Sequence, residues 1–120
     1  MKIRLTLLAA VTAPLLFAAF GAEAHARLIK SEPKVGATVA APKQLQLWFS
    51  ETIVPGKSSV SLAGPGGAAA LGKLAVDPKN PRVVVAPITS PLKPGAYKVT
   101  WSMTTADTHT MGGGFGFKVK

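Results

Sequence analysis

The chain has 120 residues, 48% hydrophobic and only 16% charged, the length and balance of one small domain. It contains no cysteine, which excludes disulfide staples, zinc-finger sites and thiolate copper sites. The net charge is +9, yet the lysines stand singly from Lys30 to Lys120, with no basic run and no interleaved aromatic stripe; they read as a solubilising surface, and nucleic acid is not an expected partner.

In chain order the first element is a leader. Lys2 and Arg4 precede an apolar run over 7–20, broken only by Thr12 and Pro14. Ala22-Glu23-Ala24 then has the small-x-small form of a leader-peptidase site. The run is short for a membrane span of roughly 20 residues. A cleaved signal peptide over 1–24 is therefore expected, leaving an exported, periplasmic domain over 25–120 that begins at His25.

Proline and glycine punctuate the rest, and short segments rich in Val, Leu, Thr and aromatics lie between them. In 44–49, Leu45, Leu47 and Phe49 fall on one face. Tyr97, Val99, Trp101 and Met103 alternate in the same way, as do Phe115, Phe117 and Val119. Period two over about six residues marks a half-buried strand. Weaker strands are expected at 27–30, 58–63, 71–76 and 82–86. No helical stripe follows the leader. The prediction is an all-β, immunoglobulin-like sandwich of about seven strands. Met103 is expected in its core. Residues 104–106 and 112–114, and Met111 between them, are expected in a loop or at a strand end. The terminus at His25 is expected to make few strand contacts.

Candidates for chemistry are few. His25 and His109 are the two histidines, and Glu32, Glu51, Asp77 and Asp107 are the carboxylates beyond the leader. There is no G-x-S-x-G elbow and no phosphate-cradling loop. What remains is a metal reading. Cleavage before His25 would expose an α-amine, and this amine with the imidazole Nδ1 can close a six-membered chelate ring. The ordinary pKa of an α-amine, roughly 7.7–8.0, lets a metal displace its proton at neutral pH. Asp107-Thr108-His109 adds a carboxylate and a second imidazole, on one side if the segment is extended. Such a nitrogen-rich N/O set suits tetragonal Cu(II). The triplet alone is a weak signal, and spacing by itself favours Asp107 merely bonding its own turn and a terminal histidine that is an accident of cleavage.

Five segments carry a resemblance. His25-Ala26 would begin the mature chain. Ser31-Glu32-Pro33-Lys34-Val35-Gly36-Ala37 reads S-x-P-x-x-G-A. Residues 42–51 read P-x-x-L-x-L-x-F-S-E, and 92–101 read L-x-P-G-x-Y-x-V-x-W. Asp107-Thr108-His109 supplies D-x-H. In this order they resemble the CopC family of periplasmic copper-resistance proteins, over nearly the whole mature chain. The resemblance implies a cupredoxin-like Greek-key sandwich. It implies one Cu(II) held by the α-amine and imidazole of His25, by Asp107 and by His109, with Glu51 close behind them. It suggests a CopD-like inner-membrane copper transporter as partner. Two departures stand out. Thr110 occupies the place where members commonly have proline, which changes backbone freedom but removes no donor atom. The methionine-rich loop of some members is missing, since only Met103 and Met111 lie beyond the leader, so a Cu(II)-only member is implied.

The function expected is copper binding for sequestration, resistance or delivery, by a monomer and without turnover. Two other readings compete. One is a small copper oxidative enzyme with a terminal-histidine site, although Asp107 would fill a position that oxygen chemistry needs open. The other is a metal-free sandwich that binds protein partners.

Overall fold

The computed structural model describes residues 26–120; the expected leader and His25 lie outside the described residues. Nine strands follow one another: β1 Leu28–Glu32, β2 Thr38–Val39, β3 Gln44–Phe49, β4 Ser59–Gly64, β5 Gly67–Ala69, β6 Ala75–Asp77, β7 Asn80–Pro87, β8 Gly95–Thr104 and β9 Thr110–Val119. A 3-10 turn, Pro55–Lys57, precedes β4. The strands form a four-stranded sheet, β1-β3-β7-β6, and a five-stranded sheet, β2-β9-β8-β4-β5. Pairing is antiparallel except between β2 and β9.

The alternating residues are the reason for this architecture. Leu45, Leu47 and Phe49 of β3 and Val84 and Ala86 of β7 meet Leu62 of β4, Tyr97, Val99, Trp101 and Met103 of β8, and Phe115, Phe117 and Val119 of β9 in one buried cluster. Each large apolar side chain so buried stabilises the fold by roughly 1.5–3 kcal/mol. Trp101 meets Phe49 edge to face across the sandwich, with ring centroids 4.9 Å apart. Tyr97 stacks on Phe117, and its hydroxyl donates to the Lys93 carbonyl at 2.7 Å, a corner tie four residues back along the chain.

Three expectations need correction. Among the described residues there are nine strands where about seven were expected, because β2 and β5 are too short to show alternation and are held by pairing along β9 and β4. The strand expected at 71–76 shrinks to Ala75–Asp77, with Leu71 making only an isolated bridge to Ile88. Met111 and Gly112 to Gly114 are not loop residues but the interior of β9, with Met111 opposite Met103 and Gly113 opposite Trp101. A Cβ at Gly113 would come within 2.6 Å of Cζ2 of Trp101, so the ring occupies the space a side chain would need. The expectation for the terminus at His25 lies outside the described residues, and the described chain begins docked. Ala26 is buried in the core, and Arg27 exchanges hydrogen bonds with Ser50.

Candidate metal centre

The β8–β9 hairpin stays in register for ten residue pairs, from Gly95–Val119 to Thr104–Thr110. Its closing loop, 105–109, holds Asp107 and His109. The Thr105 N–H donates to the His109 carbonyl at 2.9 Å, and the Thr108 N–H donates to the Thr105 carbonyl at 2.8 Å. The triplet is thus a turn and not the extended segment expected. Thr108 sits at φ +71°, a left-handed conformation that a β-branched residue adopts only when its surroundings impose it. Its hydroxyl donates to the Asp107 carbonyl, a local bond that accompanies this conformation.

The turn brings the two side chains together by a different route from strand periodicity. Oδ2 of Asp107 lies 3.2 Å from Nδ1 of His109, an ion pair when the imidazole is protonated and a hydrogen bond when the neutral ring carries its proton on Nδ1. Both remain open to solvent, at 57% and 50% side-chain exposure, so an incoming group can reach them. Oδ1 of Asp107 accepts the hydroxyl proton of Thr105. That bond, followed by the contact with His109, holds the Asp107 carboxyl below its ordinary value of 3.8. The carboxylate is therefore ionised and oriented at neutral pH.

The segment after β3 anchors the loop. Ile53 bridges Thr105, the Ala106 N–H donates to the Thr52 carbonyl at 3.1 Å, and the Val54 N–H donates to the Thr104 carbonyl at 2.8 Å. The Thr104 hydroxyl donates to the Lys57 carbonyl and lies 3.1 Å from that of Thr110. Glu51, half-buried, directly precedes Thr52 in this corner. Its carboxylate is not gathered with Asp107 and His109, since among the described residues no three His, Cys, Asp or Glu side chains group as a metal site. The described chain also starts in this corner, where the Ser50 N–H donates to the Arg27 carbonyl at 3.0 Å.

Of the expected site residues, Asp107 and His109 are brought together, Glu51 stands in the same corner and His25 lies outside the described residues. Sequence reasoning missed Thr105. It is buried, 1% exposed, and its hydroxyl contacts both Asp107 and His109. A signal existed: Thr105 takes the next inward position after Tyr97, Val99, Trp101 and Met103. A hydroxyl there needs a partner.

The CopC domain family matches residues 28–120. "Copper resistance protein C" of Pseudomonas syringae pv. tomato is 37% identical over 105 residues, covering 82% of this chain and 83% of that protein. The Escherichia coli protein of the same name is 36% identical over 112 residues, covering 85% and 86%. Among solved structures, the E. coli PcoC, described as a methionine-rich copper resistance protein, superposes with a TM-score of 0.73 at 32% identity, covering 80% of this chain and 99% of that one. With the sandwich, the hairpin loop and these matches together, the chain belongs to the CopC family.

Proposed function

We propose that this protein binds one Cu(II) ion in the periplasm, as cargo for resistance, sequestration or delivery, using the α-amine and imidazole of His25 with Asp107 and His109. The observation that carries the reading is the 3.2 Å approach of Asp107 and His109 on an anchored, solvent-open loop. Alone these two offer one imidazole and one carboxylate, too few for a closed site. Ala26 is buried in the core, and Arg27 is hydrogen-bonded to Ser50, just ahead of the segment that anchors the loop. A chain cut before His25 would add two nitrogens, its α-amine and its imidazole Nδ1. Nitrogen and oxygen donors without thiolate suit Cu(II). In this reading Glu51, which precedes Thr52, would orient a ligand or a bound water by hydrogen bonding. The names of the relatives support copper resistance over turnover, and a CopD-like membrane transporter is the partner this role calls for.

The test has two parts. Mass spectrometry of the exported protein should give a chain starting at His25. Electron paramagnetic resonance of that chain with one equivalent of Cu(II) should show a tetragonal, nitrogen-rich signal. Asp107→Ala and His109→Ala should each weaken binding at least about tenfold, equivalent to roughly 1.4 kcal/mol, without unfolding the domain. Unchanged affinity in both variants would rule the loop out as the site.

A further inference from the structure

We propose that Thr105 is the positioning residue of this site and that it determines which oxygen Asp107 offers to a metal ion. The inference rests on the copper reading above. A threonine hydroxyl has one proton to donate and lone pairs to accept with. Here the oxygen lies beside Oδ1 of Asp107, 3.2 Å from the His109 carbonyl and 3.3 Å from the His109 N–H. The ionised carboxylate is the stronger acceptor and takes the proton. The His109 carbonyl already receives the Thr105 N–H at 2.9 Å. The hydroxyl oxygen is then left to accept from the His109 N–H. One buried group thereby fixes the side chain of one ligand and the backbone of the other.

The consequence is directional. With Oδ1 held by Thr105, Oδ2 is the oxygen turned towards His109. Asp107 binds through Oδ2 alone, as a monodentate ligand. The neighbouring hydroxyl of Thr104 cannot substitute, since it is engaged by Lys57 and Thr110. Thr105 can hold this geometry because its backbone is itself fixed by the bridge to Ile53.

The experiment uses the mature protein and Cu(II), with affinity measured by competition against a chelator. Thr105→Val keeps the shape and removes the hydroxyl, and Thr105→Ser restores it. Thr105→Val should lose at least about tenfold in affinity and change the paramagnetic resonance parameters, whereas Thr105→Ser should stay within about threefold of wild type. A lowered melting temperature with wild-type affinity and spectrum in Thr105→Val would mean that Thr105 is merely structural, and would overturn the inference. A crystal structure of the copper-loaded wild type decides independently of any variant's folding. Oδ2 on copper with Oδ1 on Thr105 supports the inference; Oδ1 on copper, or both oxygens, overturns it. If Asp107→Ala binds copper as tightly as wild type, the copper reading itself falls, a result distinct from failure of Thr105→Val alone.

Discussion

Asp107 is an exposed carboxylate with an organised environment. Its two oxygens have different partners, Thr105 and His109. Hydrogen bonds to the ionised form favour that form, so its folded value lies below the ordinary 3.8. The linked contribution to stability is therefore present above the unfolded value and is lost as pH falls through the folded one. In the metal-free domain, carboxyl NMR should place the Asp107 midpoint below 3.8, with a shift back upward in Thr105→Val. A midpoint at or above 3.8 in wild type would contradict the hydrogen bonding described. A second residue-scale prediction tests the amine. One glycine added ahead of His25 leaves every side chain in place but turns the amine into an amide, a far poorer donor until deprotonated. Copper affinity should fall at least about tenfold, equivalent to roughly 1.4 kcal/mol. Equal affinity would remove the amine from the ligand set. The docked start of the domain strengthens this test, because Ala26 and Arg27 hold the backbone whatever precedes residue 25.

At the scale of elements, the β8–β9 hairpin does most to place the site. Its ten paired residues carry the loop to the end of the sandwich, and the Trp101–Phe49 contact ties the hairpin to the opposite sheet. Gly113 makes that contact possible by leaving room for the indole. Gly113→Ala should cost about 1–3 kcal/mol through overpacking. For a domain of this size each kcal/mol lowers the melting temperature by roughly 4–8 °C. Gly56→Ala is the control, since a Cβ there meets nothing within 4 Å. Equal melting temperatures for the two variants would show that the ring shifts without cost. The alternation in β3, β8 and β9 was readable because each strand buries one face. The glycines of β9 were not, since glycine in sequence signals a turn as readily as a strand against a large ring.

For the whole molecule, a preference for Cu(II) over Cu(I) is expected from where the soft and hard donors lie. Met103 and Met111 face each other across β8 and β9, but Met103 is fully buried and Met111 is packed against the core. Their thioethers serve packing, while Asp107 and His109 are open to solvent. The copper-loaded protein should therefore lose its metal to a Cu(I) chelator under reducing conditions and keep it against a comparable Cu(II) chelator under oxidising ones. Retention of Cu(I) would mean that the Met103–Met111 pair opens into a soft site. The likeness to PcoC extends over the fold, with a TM-score of 0.73, although that relative is described as methionine-rich.

The sequence by itself determined the class of the fold, because a period of two in apolar residues admits one buried face per strand and little else. Motif order identified the family and singled out Asp107 and His109, because D-x-H lies just beyond the Y-x-V-x-W strand. Only the tertiary structure decided how those two residues meet. Periodicity puts them on one side of a strand, whereas the chain turns with Thr108 left-handed and brings them together through Thr105. That arrangement depends on the bridge from Ile53 to Thr105. A contact between residues so far apart in the chain follows from how two sheets are closed upon each other, which no local pattern encodes.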